Sequence, residues 1–136
     1  MVEMKAVYVG EKHCEITHGP SGSLLETDAP KDNAGRGEKF SPTDLLGASL
    51  MSCILTTLDI LAEREKLGSV KGARATVTKE MAANPRRVSR LPIEITMPAG
   101  IAMANRARLA EIADNCPVKH SLAAAIEAPI RFIYPD

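Results

Sequence analysis

The chain has 136 residues with 17 basic and 17 acidic side chains, so its formal net charge is zero. Hydrophobic residues make up 45% and charged residues 25%, a balance that excludes a disordered chain. The length fits one domain, 1–136. Because no excess of either charge is present, composition gives no support to nucleic acid or an anionic membrane as a partner.

The chain shows no sign of a secretory or membrane segment. The first ten residues carry charges and lack the apolar run of a signal peptide. The uncharged stretch between Asp44 and Asp59 is too short to cross a bilayer, which takes about 20 residues. Three widely spaced cysteines do not resemble a secreted disulfide scaffold. We therefore expect a cytoplasmic protein whose cysteines serve packing, metal binding or redox chemistry.

The first part of the chain is predicted to form strands. Alternating apolar residues predict strands at 5–9 and 14–17, joined by a turn near Gly10, and a further short strand at 23–27. Residues 29–39 are polar and contain glycine, which predicts a loop. Loops of that length in compact domains are often functional.

A long helix is predicted to begin at Ser41. This residue is a good N-cap, Pro42 suits the first helical position, and Asp44 stands where a capping-box acid belongs. The helix is expected to run to about Lys66 and to end at Gly68. Its first two-thirds is apolar on nearly every side, so we expect a sheet to cover one face and a second subunit the other.

The rest of the chain alternates between strands and helices. Asn84–Pro85 predicts a turn between two strands. The predicted elements are strands at 71–81 and 90–97, helices at 102–115 and 117–128, and a closing strand at 129–134. Strands, a long helix, strands, helices and a strand, in that order, predict an α+β fold.

Two cysteines have contexts that differ in kind. Cys53 lies within the apolar helix, and two interpretations are possible there, a buried packing residue or a reactive thiol. Cys116 directly precedes Pro117, so it lies at a helix N-cap where free N–H groups favour a thiolate. Lys119 and His120 could add positive charge. A low pKa is therefore expected for Cys116, with a simple capping role as the alternative.

A metal site is the rival use of these residues. Cys116 and His120 are four apart and could share a helix face, with Cys53 or His13 completing a set. Zinc ligands usually come in paired, short-spaced motifs, and the chain has neither CxxC nor HxxxH. We therefore expect no metal and no cofactor. Nothing near Cys14 marks it as reactive.

Two blocks of sequence resemble the OsmC/Ohr family. Residues 40–53, FSPTDLLGASLMSC, resemble the family's "xPxELLxAxxxxC" pattern, and residues 115–122, NCPVKHSL, resemble its "CPVxxxL" motif. The order and separation of the blocks fit, and the resemblance covers nearly the whole chain. It implies an OsmC/Ohr-like α+β fold with a long central helix packed on antiparallel sheet in an intertwined homodimer.

The same resemblance implies a peroxidase that reduces organic hydroperoxides. Cys53 would attack the peroxide and become a sulfenic acid, and Cys116 would condense with it to a disulfide. A dithiol reductant, a lipoylated protein in the best-known branch, would reset the pair. The residues alone favour Cys116 as the reactive thiolate, whereas the family assigns the attack to Cys53, and we follow the family.

The supporting residues depart from the Ohr pattern. In that branch an early-loop arginine and a glutamate directly after the helix-opening proline support the thiolate. Here Thr43 follows Pro42 and the acid comes one residue later, as Asp44, which is about 100° away around the helix. Arg36 is the candidate cation and Asp44 the candidate acid, with a solvated loop arginine and a capping acid as the alternatives.

Two other functions remain open. One is a non-catalytic OsmC-like dimer that binds a small apolar ligand. The other is a thiol redox sensor that forms the same disulfide without efficient recycling. An arginine near Cys53 would favour the enzyme over the binding protein.

Overall fold

Short strands and one long helix alternate in the computed structural model, which describes residues 1–135. The helices are α1 Pro42–Glu65, α2 Met103–Asp114 and α3 Pro117–Ser121. The strands are β1 Met4–Gly10, β2 His13–His18, β3 Leu24–Asp28, β4 Arg74–Val77, β5 Glu80–Ala82, β6 Arg87–Arg90, β7 Ile93–Thr96 and β8 Ile130–Ile133. This is the predicted α+β fold.

The chain forms two compact units, one of residues 1–46 and one from residue 47 onward. In the first, β1, β2 and β3 form an antiparallel sheet in that order. Glu11 and Lys12 both have positive φ, 54° and 59°, as the tight turn between β1 and β2 requires. The hairpin predicted near Gly10 is therefore confirmed, and the prediction of a single domain stays a prediction.

Strand β1 keeps its apolar side chains in solvent. Val7 is 62% exposed and Val9 51%, and Tyr8, which points to the opposite face, is 63% exposed. Large apolar side chains on both faces of a strand normally lie against another element. In its sheet, β1 is the edge strand and pairs with β2.

The second unit contains a sheet of order β4-β7-β8, in which β7 and β8 run parallel, and a separate β5–β6 hairpin. One stripe of α1 is buried: Gly47, Leu50, Ile54, Leu58 and Ala62. A Cβ on Gly47 would lie 3.3 Å from Leu91 Cδ2 and 3.4 Å from Val77 Cγ1, so this position is at the limit of what a side chain allows.

The remainder of α1 is less buried than the sequence predicts. Ile60 is 55% exposed, and Met51, Leu55 and Leu61 are half-buried. A single chain thus covers one stripe of an apolar helix. By length and composition alone α1 could cross a membrane, a property that core helices of soluble proteins share. The second subunit expected on its other face stays a prediction.

Three predicted elements in the second unit need correction. The strand predicted at 71–81 is two strands, β4 and β5, and that predicted at 90–97 is β7 alone, preceded by β6, which ends at Arg90. The helix predicted at 117–128 ends at Ser121. Its alanine-rich second half instead bonds to the neighbouring strands through Glu127 N–H to Ser89 O and Leu91 N–H to Glu127 O, at 3.0 and 2.8 Å. Backbone groups that form hydrogen bonds with strands cannot also form the hydrogen bonds of a helix.

Candidate active site

Cys53 lies at the middle of α1, beside its buried stripe. The side chain is half-buried, whereas that of the next residue, Ile54, is fully buried. Cys53 therefore stands at the border between the core and the accessible face of the helix. A core position was one of the two sequence interpretations, and partial exposure leaves the reactive one open.

Cys116 is the N-cap of α3, as its position before Pro117 predicts. Its backbone is extended, with φ −70° and ψ 151°, and its Sγ accepts a hydrogen bond from the Lys119 N–H at 3.4 Å. The residue is completely buried. Pro117 fixes the first turn of α3, so the cap geometry follows from the local sequence.

The fold brings the two cysteines together. The Cys53 side chain is near enough to Cys116 to affect the pKa of its thiol, and both sulfurs are free of disulfide bonds. Burial raises the pKa of the Cys116 thiol, and the neighbouring Cys53 raises this pKa further. The cap N–H of Lys119 opposes that shift without reversing it. The low pKa expected for Cys116 is therefore wrong, because burial outweighs the helix end.

The expected positive charge beside Cys116 is also directed elsewhere. The Lys119 ammonium bonds to Asp114 Oδ1 at 2.5 Å and to Ala128 O at 3.1 Å. It thus ties the end of α2 to the chain leading into β8. His120 is exposed. Lys119 acts on the sulfur through its backbone N–H and not through its ammonium group.

A hydroxyl group faces Cys53 one helical turn further along α1. Thr57 Oγ1 lies 3.9 Å from Cys53 Sγ, within hydrogen-bonding distance for sulfur, and Thr57 is half-buried. The adjacent Thr56 makes the bond more usual for a helical threonine, from its hydroxyl to Ser52 O at 3.0 Å and to Cys53 O at 3.2 Å. The two threonines therefore have different partners.

Asp44 forms the capping box predicted at the start of α1. The Ser41 N–H donates to Asp44 Oδ2 at 2.8 Å, and the Asp44 N–H donates to Ser41 Oγ at 3.0 Å. Thr43 Oγ1 lies 3.2 Å from the same Ser41 hydroxyl. The capping interpretation of Asp44 is thus observed, and a role in supporting a thiolate stays a prediction.

Arg36 lies in the loop predicted at 29–39, next to Gly35. Its guanidinium pairs with Asp28 at 3.7 Å and with Glu11 at 3.8 Å, and the side chain is 45% exposed. A Cβ on Gly35 would lie 1.7 Å from Ala29 O, so the loop can close only with glycine there. The arginine is therefore held by carboxylates within the first unit and is not a freely solvated residue.

The Asp28 carboxylate that receives Arg36 belongs to a buried charged cluster. His13 Nδ1 lies 2.6 Å from Asp28 Oδ1, the Lys39 N–H donates to Asp28 Oδ2 at 3.0 Å, and Asp28 is 1% exposed. His13 Nε2 lies 3.2 Å from Glu26 Oε1. The hydrogen bond to Asp28 raises the pKa of His13, and the same bond lowers the pKa of Asp28.

These opposite shifts predict a pH window in which the cluster stabilises the fold. The raised pKa of His13 gives stability that is full below its ordinary value of 6.5 and is lost as pH rises through the raised value. The lowered pKa of Asp28 gives stability that is present above 3.8 and is lost on acidification. We expect His13→Gln to lower the melting temperature most between these two values and progressively less at alkaline pH.

The control is His18→Gln on the same strand, because the His18 side chain bonds to the exposed Ser21 hydroxyl, at 2.6 Å, and not to a carboxylate as His13 does. Its melting temperature should follow the wild type at every pH. An equal loss in both variants, or a His13→Gln loss that grows above neutral pH, would contradict the assignment.

Sequence reasoning did not identify the cluster or Thr57. His13 and Asp28 are opposite each other across β2 and β3, which depends on a strand register that composition does not specify. Thr57 is four residues after Cys53, and this i, i+4 spacing was the available signal.

Comparison with known proteins identifies the family. The OsmC-like protein model matches residues 35–130. No curated protein sequence matches the chain. A Psychrobacter arcticus structure, provisionally named an osmotic stress induced and detoxification response protein, is 39% identical, with a TM-score of 0.91 over 98% of this chain and 96% of that one.

More distant structures share the fold alone. An OsmC-like protein from Mycoplasma pneumoniae has a TM-score of 0.82 at 15% identity, covering 98% of this chain and 96% of its own. An organic hydroperoxide resistance protein from Elizabethkingia anophelis has a TM-score of 0.79 at 16% identity, with the same coverage. The matching family model and the 39% identity to the Psychrobacter protein show that this chain belongs to the OsmC-like protein family.

Proposed function

We propose that the protein is a thiol peroxidase that reduces organic hydroperoxides with Cys53 and Cys116. The observation that carries the proposal is the proximity of the two cysteine side chains, which are 63 positions apart in the chain and belong to different elements. Membership of the OsmC-like family supports it, as does the fold shared with proteins named for organic hydroperoxide resistance.

The geometry supports different roles for the two sulfurs, one that attacks the peroxide and one that resolves the sulfenic acid. Burial and the neighbouring sulfur raise the pKa of Cys116, so this residue keeps its proton at neutral pH. Cys53 is the more accessible of the two, half-buried against a completely buried Cys116. Cys53 is therefore the attacking sulfur and Cys116 the resolving one.

The proposed cycle balances in three steps. The Cys53 thiolate attacks the terminal peroxide oxygen, the O–O bond breaks, and the alkoxide takes up a proton and leaves as an alcohol. The Cys116 thiol then displaces hydroxide from the Cys53 sulfenic acid, so that a disulfide forms and water leaves. A dithiol reductant such as a lipoylated protein gives two electrons and two protons by exchange and restores both thiols.

Apolar surroundings favour organic peroxides as substrates. Cys53 shares its helix with the half-buried Met51 and Leu55 and with the buried Leu50 and Ile54. Such side chains stabilise an alkyl or aryl group by excluding water and offer hydrogen peroxide no matching contact.

A homodimer is part of the proposal. The exposed Val7 and Val9 on β1, and the exposed Ile60 on α1, are apolar surfaces that a second copy of the chain would cover. Arg36 and Asp44 remain the proposed supporting cation and acid, and the proposed location is the cytoplasm.

Peroxide consumption with dithiothreitol or a lipoylated protein tests the function. The wild type is expected to turn over cumene hydroperoxide faster than hydrogen peroxide, and Cys53→Ser is expected to lose all turnover. Cys14→Ser is the matched control. Cys14 lies in β2, opposite Tyr8 of β1 and Thr27 of β3, so this variant should retain full activity. A wild type with free thiols that consumes no organic peroxide would overturn the proposal.

A redox sensor is the second candidate, and one observation favours it. Arg36, the proposed supporting cation, is paired with two carboxylates, which reduces the positive charge it can offer a thiolate. A sensor would form the Cys53–Cys116 disulfide with one equivalent of peroxide. The dithiol would then reduce this disulfide too slowly to support turnover.

A further inference from the structure

The contact between Thr57 and Cys53 has no part in the cycle described above. Thr57 Oγ1 lies 3.9 Å from Cys53 Sγ on the same face of α1, because residues four apart in a helix are neighbours. A helical threonine commonly turns its hydroxyl to the carbonyl three or four residues earlier, as Thr56 does here. Thr57 instead directs its hydroxyl to the sulfur.

Backbone N–H groups at the start of α3, those of Lys119 and Val118, donate to Cys116. The Lys119 N–H bonds to Cys116 Sγ at 3.4 Å, and the Lys119 ammonium is engaged by Asp114 and by the Ala128 carbonyl. Cys116 itself is a thiol whose proton can be offered to Cys53. A hydroxyl donor from Thr57 would therefore add to the hydrogen bonding of an ionised Cys53.

We propose that Thr57 is a further active-site residue, whose hydroxyl donates a hydrogen bond to the ionised sulfur of Cys53 and holds it in place for attack. Hydrogen bonds to a charged group are shorter and stronger than neutral ones, so the 3.9 Å contact is expected to tighten when Cys53 ionises. The role of Thr57 in turnover rests on the proposed peroxidase function. Its effect on the sulfur can be measured without peroxide.

Donation to the thiolate has two opposing consequences for reactivity. It increases the fraction of Cys53 that is ionised near neutral pH, which speeds any reaction of the thiolate. It also reduces the nucleophilicity of each thiolate, since nucleophilicity falls with basicity by a Brønsted coefficient of about 0.4–0.5. Removing the donor should therefore slow Cys53 at low pH and accelerate it at high pH.

The experiment is the rate of alkylation of Cys53 by iodoacetamide between pH 6 and pH 11. Trypsin places Cys53 in the peptide 40–64 and Cys116 in the peptide 109–119, so mass spectrometry reads each sulfur separately. For Thr57→Val we expect the pH midpoint of Cys53 alkylation to rise by about one unit. The rate should fall about threefold near neutral pH and rise about threefold on the alkaline plateau.

Two variants separate this role from a structural one. Thr57→Ser keeps the hydroxyl and should keep the wild-type profile. Thr56→Val removes a neighbouring hydroxyl that bonds to backbone carbonyls, and its midpoint should not move. A loosened helix would change the Cys53 rate in one direction at all pH values and would not cross the wild-type profile.

An unchanged midpoint in Thr57→Val would overturn the proposal. So would a midpoint that falls, because it would mean that Thr57 accepts a hydrogen bond from the neutral thiol. If Thr57→Val gives the crossing profile and the wild type consumes no peroxide, the hydrogen bond stands and the peroxidase function fails. If the wild type is active, Thr57→Val should also slow the first oxidation of Cys53 at neutral pH by about threefold.

Discussion

Replacing Cys116 by serine is expected to stop peroxide turnover after one oxidation of Cys53 in each chain. A serine hydroxyl can occupy the α3 N-cap and accept the Lys119 N–H, so the fold around the site is retained. It cannot form a disulfide, and the Cys53 sulfenic acid then has no partner. One equivalent of organic hydroperoxide should add one oxygen atom to the peptide 40–64, detected by mass spectrometry.

The two cysteine variants make this result specific. Cys53→Ser should leave Cys116 unoxidised by the same peroxide, because Cys116 is completely buried and its pKa is raised. Cys116→Ser should lose steady-state turnover and keep the rate of the first oxidation. Rapid oxidation of Cys116 in Cys53→Ser would reverse the assignment and restore the order that the residues alone favour.

Local signals in the sequence predicted the elements that hold the site. Ser41, Pro42 and Asp44 act over a few residues, and α1 begins where they place it, with both capping-box bonds formed. Pro117 likewise predicted the helix that Cys116 caps. Caps and turns depend on neighbouring residues alone, so a sequence specifies them well.

The properties that depend on distant contacts were predicted poorly. The pKa of Cys116 was expected to be low because its helix end is visible in the sequence and its burial is not. The helix predicted at 117–128 ends early because its second half bonds to strands far away in the chain. The pairing of His13 with Asp28 required the register of β2 on β3.

The burial of α1 also depends on contacts that its sequence pattern does not specify. An apolar helix predicts burial on all sides, but in residues 1–135 the fully buried side chains of α1 form one stripe, which includes Leu50, Ile54 and Leu58. The exposed Ile60 lies off this stripe. The two faces can therefore be tested separately, one for the stability of the folded chain and the other for association between chains.

Leu58→Ala is expected to cost about 2–5 kcal/mol of unfolding free energy, because truncating a fully buried leucine loses its transfer energy and leaves a cavity. Against a typical total of about 5–15 kcal/mol, the loss should be plain in urea unfolding as a lower midpoint with an unchanged slope. The control is Ile60→Ala, two residues further along α1. At a protein concentration where the chain is monomeric, this control should cost less than about 1 kcal/mol, since Ile60 is 55% exposed.

The dependence on concentration then separates folding from association. If a second copy covers Ile60, Ile60→Ala should weaken the dimer in sedimentation while leaving the monomer's unfolding midpoint in place. Leu58→Ala should lower the midpoint at every concentration, because Leu58 is buried within one chain. Equal losses for the two variants in the monomer would mean that the covered stripe of α1 does not hold the second unit together.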